Sequence, residues 1–291
     1  MIDVSVLTPS YGYGRFIADC IGSVVFQDGV RNEHVVQDGG SQDDTLDILR
    51  SFGKGVSWSS EPDDGQSDAL NKALNRATGR WVAWLNADEF YLPQSLQMLT
   101  AEGDRHRADV VYGDSVTVDR DGKMLGLHPQ HAFSPSVLRL YGPFPASVSM
   151  IVRREALGTA PWDRLLRIVM DWDLYLGLLR REASFHHVDY PVGAFRVHSD
   201  QVSAGPGSNE TTVVRQRYGI PTGKPYRRVG KTLHRGRKVV HGSYLRQLRG
   251  KRFRGCDLRW FRDGVGTSAF FDLLAGCYGR SVNGTQSCER R

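Results

Sequence analysis

The sequence of 291 residues contains few cysteines and no long apolar segment. The cysteines form neither a CxxC pair nor a cluster with histidines; they are Cys20, Cys256, Cys277 and Cys288. This spacing argues against a zinc site and a disulfide framework, and it is typical of a reducing cytoplasm. No segment approaches the ~18 apolar residues of a membrane span, and the N-terminus lacks the features of a signal peptide. We therefore expect a cytoplasmic protein.

Acidic residues are scarce in the last part of the chain, where basic residues accumulate. Of the 38 Lys and Arg and the 32 Asp and Glu, residues 205–291 hold 19 and 5, so this part carries a charge of +14. Residues 1–204 carry −8, and the whole chain carries +6. We predict a domain over 1–204 and a basic, partly helical C-terminal extension over 205–291.

Short β-branched segments alternate with helical patterns in the first half of the chain. The predicted strands are 4–8, 34–38, 56–60 and 81–85. The predicted helices follow the first three strands, and the first of them shows apolar residues at spacings of three and four. Further strands are predicted at 147–152, 185–188 and 192–197, after a hairpin with its turn at 121–122. This order predicts an α/β fold with a mostly parallel central sheet flanked by helices.

Polar residues collect where the predicted strands end. The four polar loops are 8–11, 38–44, 61–68 and 86–89. Ligands of open parallel sheets bind outside the carboxyl ends of the strands. The loops therefore predict a small-molecule site at this edge of the sheet.

The segment VVQDGGSQDDT places Asp38 at a strand end before two glycines. The glycines allow a tight turn, and Asp38 can accept hydrogen bonds from a nucleobase or a ribose. The alternative is a plain strand-to-helix turn in which Asp43 or Asp44 caps the next helix.

Four motifs together resemble the family 2 glycosyltransferases of the GT-A fold. They are TPSY at 8–11, DGGS at 38–41, EPDDGQSDALN at 61–71 and NADE at 86–89. Their order and spacing match the family, and the resemblance covers about residues 3–200. It implies a Rossmann-like GT-A fold and inverting transfer of a sugar from a nucleotide diphosphate sugar, commonly a UDP-sugar. The acceptor is a hydroxyl of a glycan, a lipid-linked molecule or a small molecule, as in cell-envelope or polysaccharide biosynthesis.

The resemblance assigns the donor-binding residues to the same loops. They are Thr8, Pro9, Ser10, Tyr11, Asp38, Gly39, Ser41, Asp68, Asn86 and Ala87. Asp38 takes the position next to the base or ribose, and Asp68 makes a second polar contact. The alternative for Asp68 is an acid in the first turn of a helix, where the helix dipole favours it.

The resemblance also implies a bound Mg²⁺ or Mn²⁺. Asp88 is the natural ligand, with help from Glu89, because a cation held by carboxylates can neutralise the leaving diphosphate. This chain reads Asn-Ala-Asp-Glu where the family often has Asp-x-Asp. His198, in the ending FRVHSDQVS, completes the metal shell or touches the diphosphate; the alternative is a structural histidine.

The acceptor side of the resemblance is the segment VMDWDLYLGLLRR. Inversion needs a base that takes the proton of the acceptor hydroxyl, and Asp171 aligns with the carboxylate given that role. Asp173 is the second candidate for the base, although a role in capping the helix or in fixing the loop suits it better. Met170 replaces an acid that the family often has. The alternative is an amphipathic helix with two acids in its first turn.

The charge of the basic extension indicates which partners it could bind. The extension fits an anionic membrane surface or a lipid-linked acceptor first, a homodimer contact second and nucleic acid last. Peripheral contact would then be on the inner face of the membrane.

A nucleotidyltransferase is the alternative enzyme, but the segment GYGYGR lacks the lysine pattern of its phosphate loop. A non-catalytic protein that binds nucleotide sugars or anionic surfaces is the other rival.

Overall fold

The computed structural model describes residues 1–199, 209–260 and 265–278. The strands of this part are β1 (Val4–Ser10), β2 (Asn32–Asp38), β3 (Ser57–Ser60), β4 (Trp81–Trp84), β5 (Phe90–Tyr91), β6 (Val110–Val118), β7 (Met124–His128), β8 (Met150–Arg153) and β9 (Phe185–Arg196). The helices are α1 (Gly14–Val25), α2 (Thr45–Ser51), α3 (Gln66–Arg76), α4 (Ser95–His106), α5 (Pro135–Leu140), α6 (Arg154–Leu157), α7 (Met170–Arg180), α8 (Glu210–Arg217), α9 (Lys224–Val240), α10 (Ser243–Gly250) and α11 (Val265–Tyr278). Short 3₁₀ turns occupy Gly53–Gly55, Ser147–Ser149 and Lys251–Phe253.

A nine-stranded sheet has the order β3-β2-β1-β4-β8-β6-β9-β5, and β7 pairs with β6. The first four strands of this order are parallel. β8 is antiparallel to both of its neighbours, and β9 runs parallel to β6. The predicted α/β fold with a mostly parallel central sheet is therefore confirmed.

Two predicted strands differ in detail from the observed ones. The segments 185–188 and 192–197 form one strand, β9, because a register shift beside Asp114 lets the strand pass Pro191, which has no N–H to donate. The segment predicted as a strand from residue 147 begins with a 3₁₀ turn. There the Ser149 side chain donates to the Ala146 carbonyl oxygen at 2.8 Å, so the strand starts at Met150.

The apolar face of α1 explains how the first helix packs on the sheet. The side chains predicted at spacings of three and four are all buried; they are Phe16, Ile17, Cys20, Ile21 and Val24. Because β1 lies between β2 and β4, the loops after these parallel strands open at one edge. This edge carries the site described below.

The described residues after 209 share the core of the body. Leu258, Phe270 and Leu273 are buried in the same apolar cluster as residues of β6 and β9. The predicted boundary at 204/205 lies outside the described residues, so the division into a domain and an extension stays a prediction. Among the described helices, none combines the length and the apolar character needed to cross a membrane.

Candidate active site

A cavity of about 610 Å³ opens at the carboxyl ends of β1 and β4 and at the first turns of α3 and α7. Eight of the residues predicted for the site line it: Pro9, Ser10, Tyr11, Gly39, Asn86, Ala87, Asp88 and Asp171. Six others do not: Thr8, Asp38, Ser41, Asp68, Glu89 and His198. The cavity is large enough for a small-molecule ligand, and its volume falls in the usual range for such sites.

Asp38 is fully buried and organises its own loop. Its Oδ2 atom accepts hydrogen bonds from the backbone N–H groups of Gly40 at 3.0 Å and Ser41 at 2.8 Å, and from the Ser60 hydroxyl at 2.7 Å. Its Oδ1 atom accepts from the Ser41 hydroxyl at 2.5 Å. Because the carboxylate is satisfied within the protein, it fixes the shape of the 39–41 loop.

Gly39 brings the loop close to two other cavity residues. A Cβ atom at this position would lie 3.0 Å from Asp63 Oδ2 and 3.3 Å from the Tyr11 ring, so a larger residue would crowd both. Tyr11 is 67% exposed, and its ring is free to receive a flat ligand. Burial raises the pKa of the Asp63 carboxyl. The three residues form one end of the cavity.

Asn86 joins β4 to α3 across the cavity floor. Its side-chain oxygen accepts hydrogen bonds from Gln66 Nε2 at 2.5 Å and from Trp84 Nε1 at 2.8 Å. Both partners also line the cavity. The asparagine therefore fixes the start of α3 relative to the Asn-Ala-Asp-Glu loop.

Asp88 is held in place by contacts with β9 and with the residues that follow it. Its Oδ2 atom lies 2.9 Å from His198 Nε2, and both side chains are almost fully buried. Arg196 donates to the Asp88 carbonyl oxygen at 2.8 Å and forms a buried ion pair with Asp19 of α1 at 2.7 Å. The structure therefore brings together two of the three residues predicted to bind a metal ion.

Glu89 has a different environment from Asp88. It is 1% exposed, and its Oε2 atom accepts a hydrogen bond from the Asn86 backbone N–H at 3.1 Å. Burial and the neighbouring Asp88 carboxylate raise the pKa of Glu89 to about 8. The shift favours the protonated form of this carboxyl, which lies outside the cavity wall.

Asp171 lies in the first turn of α7 and is partly exposed to the cavity. Its Oδ1 atom accepts a hydrogen bond from the Trp172 backbone N–H at 2.7 Å. Burial raises the pKa of this carboxyl to about 6. Asp173 points elsewhere: its Oδ1 atom accepts from Arg217 of α8 at 2.8 Å, and it does not line the cavity.

The loop before α7 is held by Glu210, which sequence reasoning missed. One carboxylate oxygen of Glu210 accepts hydrogen bonds from the backbone N–H groups of Arg167 at 3.1 Å, Ile168 at 2.8 Å and Val169 at 3.2 Å. Arg167 and Ile168 line the cavity. No local signal could have revealed this role, because about forty residues separate Glu210 from the loop.

Asp68 and Thr8 also have partners within the protein. Asp68 lies 3.1 Å from Arg164 Nε and 3.4 Å from Lys72 Nζ, so it pins the first turn of α3. The Thr8 hydroxyl lies 2.8 Å from His34 Nε2 in the core. Several further residues that line the cavity were not predicted for the site. Among them are Asp63 and Gln66, which belong to the motif at 61–71, and Arg167 and Phe195, which do not.

Two further groups of side chains in the described part of the chain have the composition of metal ligands. They are Glu102, His106 and His186, and Asp114, His187 and Asp189. None of them lines the cavity. Arg246 and Tyr278 already engage the acids of the second group.

Comparison with known proteins adds an independent view of the chain. The family model "Glycosyl transferase family 2" matches residues 5–158. A "PGL/p-HBAD biosynthesis glycosyltransferase" of Mycobacterium tuberculosis is 30% identical over 176 residues, which is 58% of this chain and 66% of the relative. The chain thus spans slightly less than two thirds of that relative.

Two solved structures share the fold at low sequence identity. S. aureus TarS 1–349 in complex with UDP-GlcNAc has a TM-score of 0.62 and 17% identity, over 95% of this chain and 82% of that chain. The mannosyltransferase PcManGT from Pyrobaculum calidifontis, in complex with GDP-Man and Mn²⁺, has a TM-score of 0.55 and 16% identity, over 96% and 75%.

Proposed function

Because the chain belongs to glycosyltransferase family 2, we propose that it transfers a sugar from a nucleotide diphosphate sugar, with a UDP-sugar as the first candidate, to an acceptor hydroxyl. The transfer inverts the anomeric carbon. The acceptor is a glycan, a lipid-linked molecule or a small molecule. One observation carries the proposal: Asp88 and Asp171, the predicted metal ligand and the predicted base, line the same cavity.

The nucleoside end of the donor fits between Tyr11 and Asp63. Tyr11 offers an exposed ring for stacking, and Asp63 offers a carboxylate beside the tight approach at Gly39. The first turn of α3 also lines the cavity, and its free N–H groups favour an anionic diphosphate. The relatives bound to UDP-GlcNAc and GDP-Man support a donor of this class.

Asp88 and His198 are the residues that would hold a Mg²⁺ or Mn²⁺ ion. Their facing atoms are 2.9 Å apart and both side chains are almost fully buried, so the pair could hold one small cation. A carboxylate and an imidazole suit a divalent cation of this class. When bound, the ion would neutralise negative charge on the leaving diphosphate. Glu89 is buried outside the cavity wall and accepts from the Asn86 backbone N–H, so it is better placed to support the loop than to bind the ion.

Asp171 acts as the general base. The acceptor oxygen attacks the anomeric carbon while the bond from that carbon to the diphosphate oxygen breaks, and Asp171 takes the hydroxyl proton. A pKa of about 6 leaves the carboxylate ionised at neutral pH, yet more basic than an ordinary aspartate. Asp38, Ser41, Thr8 and Asp68 then act indirectly, by holding the loops that contact the donor.

The two rival functions are less well supported. A nucleotidyltransferase would need a basic phosphate loop after the first strand, and the residues lining the cavity there are Pro9, Ser10, Tyr11 and Tyr13. A purely binding protein would not need a carboxyl group with raised pKa at the acceptor side, which Asp171 provides.

Thermal unfolding with nucleotides tests the donor proposal. We expect UDP to stabilise the protein by about 2.7 kcal/mol at 100 times its dissociation constant, and only when Mn²⁺ or Mg²⁺ is present. The cation is required because the acids beside the cavity otherwise repel the diphosphate. Mn²⁺ without nucleotide and UDP with a chelator are the controls. Equal stabilisation by UDP with and without the cation would contradict metal-assisted donor binding.

Glu210 provides a second test, because it reaches the acceptor side only through the backbone. We expect Glu210→Ala to lower kcat about 10- to 100-fold, since loss of three hydrogen bonds lets the loop before Asp171 shift. The KM for the donor should change little, and Glu210→Gln should recover part of the rate because its amide oxygen still accepts.

The matched control is Glu155→Ala, an exposed glutamate in α6. We expect wild-type kinetics from it. An equal loss of donor affinity and rate in Glu210→Ala would show general destabilisation instead of positioning. The apparent pKa near 6 in the pH–rate profile should also move in Glu210→Ala, because the surroundings of Asp171 change.

A further inference from the structure

The outer surface of α9 combines an apolar stripe with a high positive charge. Four of its exposed apolar residues recur at spacings of three, four and seven, so they share one helix face; they are Tyr226, Val229, Leu233 and Val240. Val239 is also exposed but lies outside this stripe. The helix contains seven Lys and Arg and no Asp or Glu. On α10 the apolar surface continues with Tyr244, Leu245 and Leu248, all exposed.

The inner face of α9 fixes the orientation of this stripe. A Cβ atom on Gly230 would lie 2.4 Å from the Leu140 carbonyl carbon, so α9 and α5 approach as closely as only glycine allows. His234 stacks on Tyr141 with ring centroids 4.2 Å apart and lies 3.0 Å from His131. The helix is therefore docked on the body by the side that carries Gly230 and His234, and the apolar stripe lies on a neighbouring side that is exposed to solvent.

We propose that the outer face of α9 and α10, with the residues named above, docks on an anionic lipid bilayer. The apolar side chains enter the boundary between headgroups and acyl chains, while Lys and Arg on the other side of the helix attract the anionic headgroups. The most exposed of these basic residues are Lys224, Arg227, Arg228, Lys231 and Arg235. The bilayer satisfies both halves of the surface at once.

Other occupants satisfy only one half. A second copy of the chain could cover the apolar stripe, but its own α9 carries the same seven Lys and Arg, so it offers no counter-charge to the basic residues. Nucleic acid would pair with the charges but would leave Val229, Leu233 and Val240 in water. Charge and apolar pattern together therefore favour the membrane surface.

The docking face is one helix away from the proposed base. α5 lies between α9 and α7, and Trp172 of α7 donates to the Leu138 carbonyl oxygen of α5 at 2.7 Å. Asp171 is the residue next to this tryptophan. Resting on the proposed function, this arrangement points to an acceptor whose hydroxyl belongs to a membrane lipid or a lipid-linked molecule.

Vesicle flotation of the full chain tests the docking surface. We expect binding to vesicles of phosphatidylcholine mixed with phosphatidylglycerol and much weaker binding to phosphatidylcholine alone, with a steep loss as salt rises. Each Lys or Arg near such a surface contributes roughly a fivefold factor in partition coefficient. The double variant Arg228→Gln/Lys231→Gln should therefore lower the partition coefficient roughly 25-fold.

The matched control is Lys54→Gln/Arg105→Gln, which removes one Lys and one Arg from exposed positions on other elements. It should bind like the wild type. A second variant, Leu233→Ser, should weaken binding without changing thermal stability, because the side chain is exposed. Equal loss in both charge variants, or binding that ignores salt, would overturn the proposal.

Two further outcomes would also overturn it. One is a dimer in solution that Leu233→Ser dissociates, which would assign the face to a second copy of the chain. The other is tighter binding to a single-stranded oligonucleotide than to anionic vesicles at the same salt. Hydrolysis of nucleotide sugar without vesicles measures the proposed function separately, and Arg228→Gln/Lys231→Gln should leave it unchanged. Vesicle binding without any hydrolysis or transfer would refute the enzyme but keep the docking surface.

Discussion

Replacing Asp88 with alanine is expected to lower kcat/KM for sugar transfer at least about 100-fold, even at saturating Mn²⁺. The carboxylate lines the cavity and lies 2.9 Å from His198, so its loss removes the central oxygen ligand of the proposed cation. Stabilisation by UDP should then no longer depend on the cation. Arg196 donates its hydrogen bond to the backbone carbonyl oxygen of Asp88, which the substitution keeps. The conformation of the loop should therefore persist. Steady-state kinetics and thermal unfolding measure the two effects.

Glu89→Gln is the matched control for Asp88→Ala. Burial and the Asp88 carboxylate raise the pKa of Glu89 and favour its neutral form, and glutamine imitates the shape and charge of that form. We expect near-native kinetics and the usual dependence on the cation. Loss of metal-dependent UDP binding in Glu89→Gln with retention in Asp88→Ala would reverse the roles of the two acids. Retention in both would place the cation elsewhere or remove it from the reaction.

The parallel half of the sheet could be predicted from sequence because its signals are local. Three of its four strands, β1, β2 and β4, are largely buried segments that lead into polar loops, and the helix after β1 shows its apolar spacing directly. Strand β9 was harder, since Pro191 interrupts the pattern and only pairing with β6 shows that the chain continues through it. The register shift that permits this is a tertiary feature.

The candidate site was predictable by residue but not by side-chain direction. The sequence of a strand that ends in Asp38 does not distinguish a carboxylate that faces a ligand from one that faces its own loop. Its three hydrogen bonds from the 39–41 loop, and a fourth from Ser60 at the end of β3, show that it faces the protein. Asp63 belongs to the motif at 61–71, but the sequence does not predict that it lines the cavity. Its place beside Gly39 follows from the fold alone.

Long-range support of the site lay beyond sequence reasoning. Glu210 and Arg217 come from a segment that reads as the start of a basic tail, yet they bind the backbone before α7 and the side chain of Asp173. The net charge of the segment hides these two individual roles. The positive charge of α9, in contrast, follows directly from the sequence, which predicts a basic and partly helical extension.

Replacing Asp171 with asparagine should separate catalysis from donor binding. Asparagine keeps the size of the side chain and an oxygen that can accept from the Trp172 N–H, but it cannot take a proton. We expect transfer to the acceptor to fall about 10²–10⁴-fold, while UDP and Mn²⁺ bind with near-native affinity. Single-turnover transfer and calorimetric UDP binding measure the two properties.

The pH dependence gives the same residue a second signature. A base must be ionised, so wild-type kcat/KM should fall as pH drops through about 6, the pKa to which burial raises Asp171. Asp171→Asn should lose this limb of the profile. Stability changes in the opposite sense. Folding raises the pKa of the Asp171 carboxyl, so this group stabilises the fold at pH values below its unfolded pKa. That contribution is lost as pH rises through about 6. Above pH 6 the variant should therefore be at least as stable as the wild type.

Asp173→Asn is the discriminating control, because it lies two residues along the same helix. Its carboxylate accepts from Arg217 and does not reach the cavity, so the substitution should lower thermal stability and leave most of the transfer rate. If Asp171→Asn retains transfer and Asp173→Asn loses it, the base is Asp173. If both retain full transfer, the first turn of α7 is structural and the proton of the acceptor goes to another group. A loss of transfer confined to Asp171→Asn, with UDP binding and stability intact, leaves general base catalysis as the role that fits all three measurements.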